Sequence, residues 1–244
     1  MIDIHCHLLP GVDDGSQTLE ESCMMAEIAI DSGVKTLVTT PHCNYPGEDP
    51  NFFSRDLAGV YTNLKAELAK RGLDINLYFG MEVFGSMDVA ALLREKKVVS
   101  LNNTRYVLIE FYFNDDPARV LFVLQQVIRA GYVPVIAHPE RYRFMRPDHS
   151  TIFDMLDMGC LFQINRGSVR GVFGREIQDT ALKMLDHGFA DFVASDSHSP
   201  FHRTPYLFDV YEFICDNFSK SYAAKLLYEN PAKLLANESI VKSY

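Results

Sequence analysis

The chain has no excess of basic residues. Lysine and arginine number 23 against 32 aspartates and glutamates in 244 residues, a formal net charge of -9. Proteins that track a nucleic-acid backbone carry the opposite balance, so no nucleic-acid partner is expected. Also missing is any uninterrupted apolar run near the ~18–20 residues that a bilayer-spanning helix needs. The opening Met1-Ile2-Asp3-Ile4-His5 lacks the basic and apolar blocks of a secretory signal. A soluble, cytoplasmic protein without membrane insertion is the expectation. Cysteines are few: Cys6, Cys23, Cys43, Cys160 and Cys215 are odd in number and include no C-x-x-C pair. That argues against a disulfide framework or a zinc ribbon and leaves reduced thiols. No repeat, low-complexity tract or linker divides the sequence, so residues 1–244 are read as a single domain.

What recurs is an alternation of short apolar runs with amphipathic stretches. Ile2 to Ile4, Val34 to Thr40, Ile75 to Phe79, Tyr106 to Ile109, Val133 to Ala137, Leu161 to Ile164 and Phe192 to Ala194 read as seven buried strands. Between them, helices are predicted over Thr18 to Ser32, Phe53 to Arg71, Pro117 to Ala130, Thr151 to Met158 and Glu176 to His187, each followed by glycine. The first opens on a Thr18/Glu21 capping box. Strand–helix alternation of this kind predicts an α/β fold of parallel strands, either a barrel or a doubly wound sheet.

The positions just after these runs hold His5 and His7, His42, Glu82, Glu110, His138, Asn165, and Asp196 with His198. In an α/β barrel, strand C-termini converge on the active site, so residues distant in sequence meet there. A lone histidine is more often an ordinary core or surface residue than a ligand. Five of eight histidines at strand ends reverse that expectation, while His149, His187 and His202 keep it. Residues i and i+2 of a strand share a face, so His5 and His7 can hold one ion, with Ile4 and Cys6 turned away. Asp196-Ser197-His198 repeats the spacing, and Asp13-Asp14-Gly15 adds carboxylates in a loop. Asp3 either orients His5 or is a solvated strand residue. The donors exceed what one ion needs, so two or three divalent ions are expected. Mixed nitrogen and oxygen ligands suit manganese, iron or zinc.

Cys160 and Arg166 fit the C-x5-R spacing of cysteine-dependent tyrosine phosphatases. Such enzymes need a glycine-rich loop at a helix N-terminus, and Leu161 to Asn165 is an apolar strand, so Cys160 reads as a structural thiol.

Four segments carry a resemblance. They are Ile2 to Gly15, Thr39-Thr40-Pro41-His42, Ile136 to Tyr142 and Ala194 to His198, joined by Ile164-Asn165-x-Gly167-Ser168 and Glu229 to Leu235. Together they resemble the PHP (polymerase and histidinol phosphatase) superfamily, and more closely its CpsB/CapC group of bacterial manganese-dependent protein-tyrosine phosphatases. The resemblance implies a distorted (β/α)7 barrel with three divalent metal ions, manganese first and iron or zinc as alternatives. It implies that His5, His7, Glu82 and Asp196 hold one ion, with Glu82 bridging, that Glu110 and His138 complete a second, and that Asp14, His42 and His198 hold a third. The sequence departs from the group's pattern at Cys43, Arg166 and Phe111-Tyr112-Phe113-Asn114, which bears on substrate preference.

The implied reaction is hydrolysis of phosphotyrosine on a protein, a bacterial tyrosine kinase that regulates capsular or exopolysaccharide synthesis. A hydroxide shared between metal ions would attack phosphorus in line, while Arg141 and Arg203 clamp the equatorial oxygens. Arg143 and Arg146 are weaker candidates. Phe111, Tyr112, Phe113, Tyr142 and Phe144 are either core residues or a platform for the tyrosyl ring. Three rival readings share the motifs: a small-molecule PHP phosphatase such as one for histidinol phosphate, a PHP nuclease module, and a non-catalytic metal-stabilised scaffold that binds a kinase. The oligomeric state and the general acid are not legible, and Lys242-Ser243-Tyr244 reads as a frayed end.

Overall fold

The structure is a computed structural model, and it describes residues 1–145 and 151–241. Arg146, His149 and Lys242 to Tyr244 therefore lie outside the described residues.

The strands are β1 (Ile2–Cys6), β2 (Thr36–Thr39), β3 (His42–Cys43), β4 (Asn76–Phe79), β5 (Glu82–Phe84), β6 (Tyr106–Glu110), β7 (Val133–Ala137), β8 (Leu161–Asn165) and β9 (Phe192–Ala194). They pair in the orders β1-β2-β4 and β3-β5-β6-β7-β8-β9, and every pairing is parallel. Two staves of the expected seven are interrupted. Thr40-Pro41 separates β2 from β3 and Gly80-Met81 separates β4 from β5, because proline cannot donate to a ladder and glycine packs no side chain. Counting each interrupted stave once leaves seven. An isolated parallel bridge between Cys6 and Ser197 brings the last stave against the first. His7 N donates to Ser197 O at 2.9 Å and Asp196 N to His5 O at 2.9 Å across that seam.

Helices α1 (Leu19–Asp31), α2 (Arg55–Lys70), α3 (Val89–Arg94), α4 (Pro117–Arg129), α5 (Thr151–Asp157), α6 (Arg166–Val169) and α7 (Arg175–Asp186) follow the strands in turn. Thr18 Oγ1 caps α1 by accepting from Glu21 N at 3.1 Å. Glu21 itself reaches Gln17 N at 2.8 Å instead of the Thr18 amide, so the capping box closes one residue early. Among the described residues, the helical segments Phe208–Asn217, Lys220–Ala224, Lys225–Glu229 and Asn230–Leu235 follow β9.

Among the described residues, the buried apolar side chains form two clusters. Ile4, Val38, Leu108, Val135, Ala137, Phe192 and Ala194 belong to the smaller one, drawn from the strands. The larger joins strands to helices and contains Cys6, Val107, Ile109, Val123 and Ile136. Alternation along β6 and β7 therefore divides neighbours between two faces. β1 departs from it: its pairing with β2 shifts register between Asp3 and Cys6, so Ile4 and Cys6 fall in different clusters. The expectation that these two share a face is corrected by that bulge, although His5 and His7 still converge.

Candidate metal centre

The strand ends, with Asp14 from the loop between β1 and α1, bring the expected ligands to one cleft or its floor. His5 and His7 come from β1 and its extension, His42 from β3, Glu82 from β5 and Glu110 from β6; His138, Asp196 and His198 lie just beyond β7 and β9. His5 Nε2 and His7 Nε2 stand 3.2 Å apart. Glu82 Oε2 lies 3.1 Å from His5 Nε2, 3.2 Å from His7 Nε2 and 3.2 Å from His42 Nδ1. Asp196 Oδ1 lies 3.4 Å from His5 Nε2 and 3.5 Å from His7 Nε2. Ligand bonds of about 2.1 Å at tetrahedral angles set donor atoms about 3.4 Å apart, close to these separations.

Among the described residues, three sets of donor atoms come together: His5, His7, Glu82 and Asp196; His7, Asp14, His42 and His198; and His42, Glu82 and Glu110. Glu82 Oε2 is buried and has no hydrogen-bond partner even with three ring nitrogens around it. Carboxylate oxygens and imidazole nitrogens gathered in this way make a donor set that fits divalent cations. Glu110 Oε1 contacts His42 Nδ1 at 2.9 Å, while His138 Nε2 sits 2.9 Å from Glu82 Oε1. Asp14 is the exposed member, with its Oδ1 3.5 Å from His42 Nε2 and 3.4 Å from His198 Nε2.

The electrostatics follow from burial and charge. Burial opposes protonation of His5, yet Glu82 and Asp196 raise its pKa. Burial and the His7 charge act against His42, but Glu82 and Glu110 win and lift it to about 9. Burial together with the Glu82 charge pushes Glu110 up to about 7, whereas His138, where desolvation dominates, falls to about 4. Burial would raise Asp196 as well; His5 and Arg203 hold it well below the usual carboxylate range.

A supporting layer was only partly foreseen. Asp13 Oδ2 accepts from His7 Nδ1 at 2.7 Å and from His42 N at 2.9 Å. Gln163 Oε1 accepts from His5 Nδ1 at 2.7 Å, its Nε2 donates to Asn165 Oδ1 at 2.8 Å, and Asn165 Nδ2 donates to Asp196 Oδ2 at 2.6 Å. Gln163 escaped notice because it sits inside an apolar run; two-residue alternation with Asn165 was the available signal. Asp3 is neither solvated nor bound to the His5 ring: its Oδ1 accepts from His5 N at 3.3 Å and Ser195 N at 3.1 Å, pinning the β1–β9 seam.

Around the centre lies a cleft of about 220 Å³ lined in part by Tyr45, Glu48, Phe113, Arg141 and Arg203. Arg203 Nη2 meets Asp196 Oδ2 at 2.6 Å, and Arg141 Nη1 lies 3.7 Å from the same oxygen. Among the expected aromatics, Phe111, Tyr142 and Phe144 are core residues, while Tyr112 and Phe113 are each 43% exposed. Tyr45, unremarked in the sequence, packs on Phe84 and Tyr112. Arg143 is exposed beside a neighbouring pocket, and His187 caps its own helix by contact with Lys183 O at 2.7 Å. His202 is exposed. Cys160 and Arg166 flank opposite ends of β8, roughly 20 Å of extended chain apart, so they cannot share a phosphate. Arg166 instead pairs with Asp209 at 2.9 Å.

Several known proteins are similar to this chain over nearly its whole length. Tyrosine-protein phosphatase YwqE of Bacillus subtilis is 32% identical, over 99% of this chain and 94% of its own length. The putative tyrosine-protein phosphatase CapC of Staphylococcus aureus is 33% identical, over 99% and 94%. A solved structure from the work on YwqE and CpsB of Streptococcus pneumoniae, described as metal-dependent tyrosine phosphatases, superposes with a TM-score of 0.92 at 32% identity, over 100% and 97% of the two chains. A lactonase from Listeria monocytogenes, at a TM-score of 0.61, 15% identity and coverage of 98% and 95%, shares the fold alone. The model of a family described as "Capsular polysaccharide synthesis, CpsB/CapC" matches residues 1–236, and the chain belongs to that family.

Proposed function

We propose that this chain is a metal-dependent phosphotyrosine-protein phosphatase acting on a tyrosine-phosphorylated protein of capsular or exopolysaccharide synthesis, namely a bacterial tyrosine kinase. The observation that carries the reading is the double use of Asp196. Its Oδ1 faces His5, His7 and His198 at 3.4, 3.5 and 3.6 Å, while Oδ2 meets Arg203. A histidine–carboxylate cluster and a cationic clamp thus share one cleft wall, an arrangement suited to metal-assisted hydrolysis of a phosphate monoester. The names of the relatives support the substrate class and the capsule setting. A cytoplasmic setting is part of the proposal; among the described residues no helix is long and apolar enough to cross a membrane.

His5, His7, Glu82 and Asp196 would hold one divalent ion, Glu82, Glu110 and His42 a second with His138 beside them, and Asp14, His42, His198 and His7 a third. Manganese is the first choice, with iron or zinc as alternatives. Bound ions of this kind lower the pKa of coordinated water and offset phosphate charge.

The chain's own residues supply the rest. Arg141 and Arg203 present planar, permanently charged forks to the equatorial phosphate oxygens. Arg203 Nε is buried without an acceptor. Tyr45 and Phe113, both lining the cleft, flank the tyrosyl ring. A phenolate leaves more readily than an alkoxide, so the reaction asks less of a general acid.

The test is turnover of a phosphotyrosine peptide before chelation, after it, and after readdition of manganese, zinc or iron, with histidinol phosphate alongside. Loss and metal-dependent recovery on the peptide is the expected result. Preference for histidinol phosphate would assign a small-molecule phosphatase instead. Chelator-induced unfolding without turnover under any metal would make the chain a scaffold.

A further inference from the structure

The last residue of β8 and the first three of α6 are Asn165-Arg166-Gly167-Ser168, of which only Asn165 bonds to the ligand set, through Asp196. Gly167 is not needed for a left-handed backbone. A Cβ there would lie 2.8 Å from Cε2 and 3.2 Å from Cζ of Phe173, so the glycine makes room for a ring. That ring faces both arginines of the cleft. The Arg141 guanidinium carbon lies 4.4 Å from the centroid of Phe113 and 4.8 Å from that of Phe173, and the Arg203 carbon lies 5.9 Å from Phe173. At 3.7 Å the Arg141 contact with Asp196 is longer than a hydrogen bond.

We propose that Phe173, seated on Gly167, is a positioning residue that holds Arg141 and Arg203 as one preoriented clamp for a phosphoryl dianion. The inference rests on the phosphatase reading in taking phosphate as what the arginines meet. Aromatic faces occupy the flat sides of a guanidinium and leave its in-plane N–H groups free for a bidentate fork. A stacked arginine has already lost its rotamer freedom, so that ordering cost is not subtracted from phosphate affinity.

The experiment compares Phe173→Ala, Phe173→Tyr and Gly167→Ala with the wild-type full chain, all loaded with manganese. The readouts are KM and kcat on p-nitrophenyl phosphate, the inhibition constant of inorganic phosphate, bound metal by mass spectrometry, and thermal melting. Phe173→Ala should raise KM and the phosphate constant about tenfold with bound metal unchanged. Phe173→Tyr should restore both constants, and Gly167→Ala, whose new Cβ displaces the ring, should reproduce the rise. Constants within about twofold of wild type for Phe173→Ala overturn the inference, because a stacking contact of this kind is worth more than that. So does loss of bound metal, which would make the ring a scaffold for the centre. A wild-type chain that hydrolyses no aryl phosphate with any metal would refute the phosphatase reading instead. Calorimetric binding of inorganic phosphate then decides the clamp alone: weaker binding by Phe173→Ala supports it, and equal binding overturns it.

Discussion

Replacing Asp13 by asparagine isolates how the imidazoles are held, because the side chain keeps its shape and loses one acceptor. Asp13 serves three donors: His7 Nδ1 at 2.7 Å and His42 N at 2.9 Å on Oδ2, and Gly15 N at 2.9 Å on Oδ1. A carboxylate against Nδ1 fixes the proton there and leaves the His7 Nε2 lone pair facing Glu82 and His5. With its oxygen toward His7, asparagine turns its NH2 onto the Gly15 amide, donor against donor. Flipped, the NH2 meets the His42 amide and forces the His7 proton to Nε2, where it blocks ligation. Each orientation leaves a buried donor unmet, at about 1–3 kcal/mol. Lost support of this kind weakens metal binding ~10–100-fold, equivalent to about 1.4–2.7 kcal/mol. Chelator competition measures the affinity and urea unfolding of the chelated protein measures the stability. Asp13→Asn should lower both; a variant that binds manganese within about twofold of wild type would refute the tautomer argument.

Cys160→Ser should retain peptide turnover, since the thiol lies at the far end of β8, whereas His5→Ala and Asp196→Ala should fall to background; the opposite pattern in a phosphatase assay would move the chemistry to the thiol. Gly85→Ala places a Cβ 2.1 Å from Cε1 of the buried Phe111 ring, and overpacking of this kind costs about 1–3 kcal/mol, read as a lower urea midpoint. Burial pushes the Glu140 carboxyl up to about 7, so the native state holds an extra proton between the usual glutamate pKa and 7, and stability falls as pH rises through that window. Glu140→Gln keeps an acceptor for Asn165 N and should gain about 3 kcal/mol on the wild type between pH 5 and pH 8; equal pH profiles of the two proteins would show that the burial penalty is absent.

The strands were legible because each is a short apolar run ending in a polar residue, and parallel staves buried on both faces leave that trace. Interruptions at Thr40-Pro41 and Gly80-Met81 were not, since Val34 to Thr40 reads as one unbroken run and Glu82 stands outside the next. Ligand identity could be read from strand ends; neighbours could not. His42 lies against Glu110 at 2.9 Å because β3, β5 and β6 stand side by side, a relation set by sheet order and invisible to spacing along the chain. The supporting residues are hidden for a related reason. Gln163 and Asp13 act on rings 158 and 6 positions away, and nothing local distinguishes an orienting amide from an ordinary polar residue.

Backbone strain was hidden most completely, and it bears directly on function. His138, Asp196 and Arg203 adopt positive φ angles of 37°, 50° and 52°, a region that glycine enters far more readily. At the end of a strand, a left-handed residue breaks the alternation of side chains, so His138 and Asp196 turn into the cleft instead of continuing the pleat of β7 and β9. Such conformations persist only where surroundings over-determine them. Asp196 is fixed through its amide on His5 O, while Arg203 O accepts from His198 N at 3.0 Å and His138 O accepts from Arg141 N at 3.0 Å. Each strained residue is thus tied by its backbone to another member of the site. Aspartate and histidine enter this region more readily than most side chains, so Arg203 is the most strained of the three, and its place beside Asp196 gives that strain a use in holding a cation at the cleft.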